Sequence, residues 1–172
     1  AKTGANYAAS LLAGRNARKK GCAQVLWLDG AEHRYIEEVG AMNIFFVSNG
    51  NTLVTPKLNG SILAGVTRDS VLKLAPMLGL KAEERTISID EVIGGIATGS
   101  ITEVFGTGTA ASISPVGNLQ YRGADYVVNS RKVGPIAQQL YDTLLGIQYG
   151  EIEDTFGWTV PLQAPEQKVL TV

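Results

Sequence analysis

The sequence predicts a mixed α and β fold in which short strands, many of them paired as hairpins, pack against helices. Two patterns point there. Short apolar or alternating runs are closed by turn signals such as Asp29-Gly30, Asn49-Gly50 and Asn59-Gly60, and about four other stretches carry apolar residues at helical spacing. Strands and helices do not alternate regularly, which argues against a doubly wound parallel sheet.

In chain order, a first helix is expected from Asn6 or Tyr7 to Lys20, closed by Gly21. Arg18, Lys19 and Lys20 sit in its last turn, where cations complement the helix dipole. Gln24–Leu28 reads as a strand, Asp29-Gly30 as a turn and Arg34-Tyr35-Ile36 as a short return. Ile44–Val47 and Thr52–Thr55 flank Asn49-Gly50, a pair suited to a turn with positive φ, and read as a hairpin. A helix that starts around Thr67 to Asp69 follows, with Val71, Leu74, Ala75 and Leu78 on one stripe and Pro76 kinking it or fraying its end. Arg85–Ile89 alternates like a strand, and Asp90 is a candidate cap for the short helix behind it. Thr102–Phe105 reads as a strand entering a Gly/Thr turn, followed by strand pieces at Ser112–Val116 and Leu119–Arg122. A last helix opens at Gly134-Pro135, with Ile136, Leu140, Leu144 and Ile147 as its buried stripe.

The 172 residues are enough for one domain with a sizeable core. Hydrophobic residues at 45% and charged residues at 18% are globular proportions. A net charge of −1 gives no reason to expect nucleic acid or an anionic membrane as a partner, and no apolar stretch is long enough to span a bilayer. Cys22 stands alone, which excludes an internal disulfide or a cysteine metal site; the expected compartment is the reducing cytoplasm. His33, the single histidine, is expected in an exposed turn, so no Ser-His-Asp triad is available. Ala1-Lys2-Thr3-Gly4 reads like the middle of a longer chain.

Four segments could carry chemistry: Lys2–Tyr7, Glu37–Asn43, Leu63–Asp69 and Gly106–Ala111. The third opens a helix, whose first amides lack intrahelical partners and favour an anion. The fourth offers consecutive amides with little side-chain obstruction, a nest for phosphate or carboxylate. The plain structural alternatives are that Gly65 and Gly106 only make turns and that Thr67 is a helix cap. By spacing alone, Lys2 and the Glu37-Glu38 pair read as solvated surface charges. Gly106-Thr107-Gly108-Thr109-Ala110-Ala111 matches a dinucleotide fingerprint, but the following residues are poor helix formers and the acid expected about 20 positions later is missing.

Taken together and in order, Lys2-Thr3-Gly4-Ala5-Asn6-Tyr7, Glu38-Val39-Gly40-Ala41-Met42-Asn43, Leu63-Ala64-Gly65-Val66-Thr67-Arg68-Asp69 and Gly106–Ala111 resemble the branched-chain aminotransferases, fold-type IV pyridoxal-phosphate enzymes. The resemblance runs from Ala1 to Trp158. It implies that residues 1–160 are the large, cofactor-binding domain, with short-stranded sheets forming a pseudo-barrel flanked by helices, and that 161–172 is a tail. By it, Lys2 is the lysine that forms a Schiff base with pyridoxal 5′-phosphate and then moves the substrate proton. Glu38 is the acid on the pyridine nitrogen, Tyr7 the phenol on the 3′ oxygen, and Val66, Thr67 and Thr109 form the phosphate cup. Tyr7, Ala41, Thr109, Ala110 and Ala111 meet the substrate.

The implied reaction moves an amino group between leucine, isoleucine or valine and 2-oxoglutarate, releasing branched-chain 2-oxo acids and glutamate. The implied assembly is a homodimer. Ala111 and Ser114 stand where some relatives have a Cys-x-x-Cys redox pair, so that regulation is not expected. The family's small N-terminal domain, which supplies an arginine to the phosphate, is absent from these residues. Two rival readings are a different fold-type IV reaction (a D-amino-acid aminotransferase or an aminodeoxychorismate lyase) and a non-catalytic anion-binding domain.

Overall fold

A computed structural model describes residues 4–162 of the chain. Two short helices, α1 (Gly4–Ala8) and α2 (Leu11–Lys19), occupy the place of the single helix expected at the start. The break falls at Ser10, whose hydroxyl bonds back to the Tyr7 carbonyl at 2.6 Å and competes with the helical ladder. Gly21 does close α2, at φ 78°.

Five strands then make the central sheet, in the order β5 (Lys81–Arg85), β4 (Thr52–Pro56), β3 (Asn43–Ser48), β6 (Ile101–Gly108), β7 (Ser112–Pro115). β3 and β4 form the expected hairpin around Asn49-Gly50, both residues at positive φ. β3 is buried along nearly its whole length, from Asn43 to Val47, because both faces of the sheet are covered. On one face Phe45, Val47, Leu53, Phe105 and Ile113 pack against α3 (Val66–Met77) and α5 (Pro135–Tyr149). Ile44, Phe46, Val54 and Val104 point the other way, toward α4 (Ile89–Thr98) and residues of two small hairpins. Those hairpins are β1 (Leu26–Leu28) with β2 (Ile36–Val39), and β8 (Asn118–Tyr121) with β9 (Ala124–Val127). The chain is thus mixed α and β, as its sequence predicts.

Several local expectations are corrected. The strand placed at Arg85–Ile89 lies at Lys81–Arg85 and runs parallel to β4, so that β4, α3 and β5 form a crossover unit. Its Lys81, Glu83 and Arg85 pair with one another along the exposed edge, and a charged edge strand carries no hydrophobic signature. Ser88, not Asp90, caps α4, accepting the Glu91 amide at 3.1 Å; Asp90 sits in the first turn. Gly65, not Thr67, precedes α3, which begins at Val66. Gly106 and Gly108 are strand residues paired with Ser114 and Ser112, and only Thr109–Ala111 make the turn. A Cβ at Gly106 would press on Met42 and Val39, so glycine there lets the β2–β3 turn lie against β6.

The loop between β1 and β2 is organised by one carboxylate. Asp29 accepts the amides of Ala31, Glu32, Arg34 and Tyr35, and these bonds hold its pKa far below the usual carboxylate value. A depressed carboxyl stabilises the fold above its unfolded pKa of about 3.9 and loses that contribution as pH falls through the lower folded value. The four amides are therefore expected to stay protected from hydrogen exchange at pH 3, where an ordinary aspartate is mostly protonated. Asp29→Ala is expected to expose them at every pH. Equal protection in that variant would show that the loop is held by other contacts.

Candidate functional site

Sheet register decides which loops meet. Asn43 opposes Thr107, and Gly108 opposes Ser112; β4 runs antiparallel to β3 and ends at Pro56. The β2–β3 turn at 40–42, the loop 57–65 leading into α3 and the β6–β7 turn at 109–111 therefore lie at one end of the sheet. Three of the four candidate segments are brought to that edge by strand pairing alone.

A cleft of about 480 Å³ opens there, lined by Tyr7, Trp27, Glu38, Gly40 and Gly60–Ala64, with Ala9 and Ser10 of the α1–α2 break. Tyr7 and Glu38 thus line the same cleft. Ala41, Val66, Thr67, Thr109, Ala110 and Ala111 are not among its described lining residues, although all stand at the same end of the sheet. Ala41, Thr109, Ala110 and Ala111 are exposed. Lys2 lies outside the described residues.

The cleft is held by backbone bonds from partly buried side chains. Trp27 Nε1 donates to the Gly40 carbonyl at 2.9 Å, fixing the turn after Glu38. The Leu63 amide donates to Glu38 Oε1 at 3.0 Å. Asn43 Nδ2 donates to the Leu63 carbonyl at 2.8 Å. On the outer side Glu37 accepts from Ser61 Oγ and from Asn59 Nδ2, so Glu37 straps the same loop whose inner side touches Glu38. Asn43 and Leu63 lie in candidate segments read from the sequence, but neither they nor Trp27 were given a role there. A buried asparagine has no spacing signature, and its only hint is a polar residue opening the very apolar run Ile44–Val47.

Immediately after Ala64 comes the start of α3. Gly65 offers no side-chain cap to it, so the first amides, from Val66 onward, are not satisfied by their own cap residue. Val66 itself is 81% exposed. An acid and a phenol on the cleft wall, beside a helix start able to take an anion, fit a flat phosphorylated ring of the pyridoxal phosphate type. The volume lies in the range of about 300–1,000 Å³ usual for small-ligand sites. A second cleft of about 490 Å³, lined by Asp29, Arg34, Asn59, Ser88 and Glu91 among others, contains none of the predicted residues. Among the described residues no cluster of His, Cys, Asp and Glu could hold a metal, and no helix is long and apolar enough to cross a membrane.

Comparison with known proteins shows which family the chain belongs to. The family model for class IV amino-transferases matches residues 1–119. A probable branched-chain-amino-acid aminotransferase of Staphylococcus epidermidis is 58% identical over 160 residues, covering 93% of this chain and 44% of that protein. The solved branched-chain amino acid aminotransferase of Escherichia coli superposes with a TM-score of 0.77 at 37% identity, covering 92% of this chain and 49% of that one. The enzyme of Thermobaculum terrenum, solved in its PLP-form, gives 0.71 at 31% identity over 88% of this chain and 45% of that one. The chain spans less than half the length of these relatives. With the family model covering more than half of the chain and the fold matching solved members, the chain belongs to the class IV amino-transferases.

Proposed function

We propose that the chain is the cofactor-binding part of a branched-chain amino-acid aminotransferase, which exchanges an amino group between leucine, isoleucine or valine and 2-oxoglutarate. The observation that carries this is the cleft shared by Tyr7 and Glu38, next to the uncapped start of α3. Pyridoxal 5′-phosphate, when bound, supplies the electron sink that lets an amino acid lose its Cα proton. Glu38 would hold the cofactor's ring nitrogen and favour its protonated form. Tyr7 would hold the ring oxygen with its phenolic hydroxyl. The amides of Val66 and Thr67, with the Thr109 hydroxyl, bind the phosphate. The Thr109–Ala111 turn, with Ala41 opposite, receives the substrate carboxylate. Lys2 Nζ anchors the cofactor and then moves the substrate's Cα proton. The whole protein is proposed to work as a homodimer in the cytoplasm.

Resemblance of Glu38–Asn43 and of the Trp27 strand to the branched-chain group favours this reaction over D-amino-acid transfer or aminodeoxychorismate cleavage. Activity of the whole protein on D-alanine or aminodeoxychorismate, with none on L-leucine, would overturn that choice. For Lys2, borohydride reduction of the holoprotein is expected to leave the cofactor covalently attached to the peptide containing residue 2. Lys2→Ala is expected to abolish both the adduct and the visible absorbance. An adduct mapped to Lys57 or Lys81 instead would disprove the assignment, and a colourless wild-type protein would favour a non-catalytic anion-binding domain.

A further inference from the structure

Leu63 is pinned at both ends of its backbone. Its amide donates to Glu38 and its carbonyl accepts from Asn43 Nδ2. Asn43 is only 5% exposed and opens β3, on the face that Phe45 and Val47 turn toward the helices. Its Oδ1 lies directly against Gly65, so that a Cβ added at Gly65 would overlap it. Backbone conformation does not demand glycine there, since Gly65 has φ −71° and ψ 138°, which any residue adopts. Glycine is required by the closeness of Asn43. A single buried amide therefore touches the loop that orients Glu38 and the residue immediately before the first amides of α3.

We propose that Asn43 is a positioning residue that sets the separation between the Glu38 carboxylate and the Val66 and Thr67 amides. The inference rests on the reading of those groups as the two ends of a pyridoxal phosphate site. That ligand is a nearly rigid ring with a short phosphate arm, so the acid and the anion cradle must be spaced to within about half an ångström for both to engage at once. β3 is the natural reference for this spacing, because its first residue is buried in the sheet and paired with Thr107. Without Asn43 the Leu63 carbonyl loses its side-chain donor, and the loop can shift. Glu38 and the start of α3 then lose their common anchor. A role confined to core packing makes a different prediction: lower stability, with ligand recognition unaltered in the molecules that fold.

Ligands that reach one end or both ends separate these roles. In the whole protein stripped of cofactor, binding of pyridoxal phosphate, of pyridoxal without its phosphate and of inorganic phosphate can each be followed through tryptophan fluorescence, with thermal unfolding recorded in parallel. Asn43→Ala is expected to weaken pyridoxal phosphate by at least about tenfold and each one-ended probe by less than about threefold. The pH midpoint of the holoprotein's visible absorbance is expected to move as well. Asn43→Asp, which keeps the shape but removes the donor, is expected to behave like Asn43→Ala and guards against an effect of lost volume. Equal weakening of all three ligands, or unchanged pyridoxal phosphate binding with a lowered unfolding temperature, overturns the proposal. Glu38→Gln is the reference. If it leaves pyridoxal phosphate binding and the absorbance unchanged, the reading of Glu38 has failed and the inference falls with it. If Glu38→Gln alters them and both Asn43 variants do not, only the positioning role is wrong.

Discussion

Glu38→Gln is expected to reduce turnover of the whole protein by about 100-fold or more, with the fold intact. Glutamine keeps an oxygen for the Leu63 amide, 3.0 Å from Glu38 Oε1, so the loop strap survives. On the proposed reading, what disappears is the negative charge that would favour a proton on the cofactor's ring nitrogen. Losing one fixed electrostatic partner of a developing charge costs about 100- to 1,000-fold in other enzymes, and a neutral amide can also donate to an unprotonated nitrogen and stabilise the wrong form. Steady-state kinetics with L-leucine and 2-oxoglutarate would measure the loss, with unfolding temperature as the control for structure. Turnover within about threefold of the wild type, at unchanged stability, would reduce Glu38 to a residue that ties down a loop.

Glu103→Ala is expected to cost about 3 kcal/mol of stability without touching the cleft. Glu103 is 4% exposed, and its two carboxylate oxygens accept the amides of Ile136 and Ala137 at 3.0 and 2.8 Å. They are among the first amides of α5, whose cap residue Gly134 has no side chain to serve them. The arrangement satisfies orphan donors and sets a negative charge at the positive end of a helix dipole. Hydrogen bonds to a charged group contribute about 1.5–3 kcal/mol, and alanine would leave both amides and a cavity behind. For a chain of this size the unfolding temperature should drop by roughly 6–12 °C. Calorimetry would measure it, and a drop below about 2 °C would mean that water or a neighbouring group replaces the carboxylate. Glycine at 134 belongs to the same device, because a Cβ there would collide with the Glu103 side chain.

Whether an element could be read from sequence depended on whether its own residues carry the signal. The β3–β4 hairpin was legible because Asn49-Gly50 encodes the turn and the flanking runs are apolar. α5 was legible because Gly134-Pro135 marks its start and Leu140, Leu144 and Ile147 mark its buried side. β5 was not, since its Lys-Ala-Glu-Glu-Arg run is defined by pairing with β4 and not by burial. Ser88 and Asp90 are both able caps, and only the depth of Ile89 in the core selects the former. In Gly106-Thr107-Gly108 the glycines signalled a turn, whereas the sheet uses them to admit Met42.

For the site, Tyr7 and Glu38 were named through resemblance to a family, and both line the cleft, but spacing alone could not distinguish them from surface residues. Asn43 closed one of the quoted motifs but was given no role, because its contacts to Leu63 and Gly65, about 20 positions away in the chain, are made only by folding.

The pairing of β3 with β6 has a kinetic consequence. It joins strands about 60 positions apart, and the cleft's end of the sheet does not exist until that closure is made. On the proposed reading, nascent or partly unfolded chains lack the assembled cleft, so a cofactor that prefers the native state would draw the equilibrium toward it by mass action. Supplying vitamin-derived ligand during refolding should rescue weakened variants such as Glu103→Ala in proportion to the logarithm of its concentration.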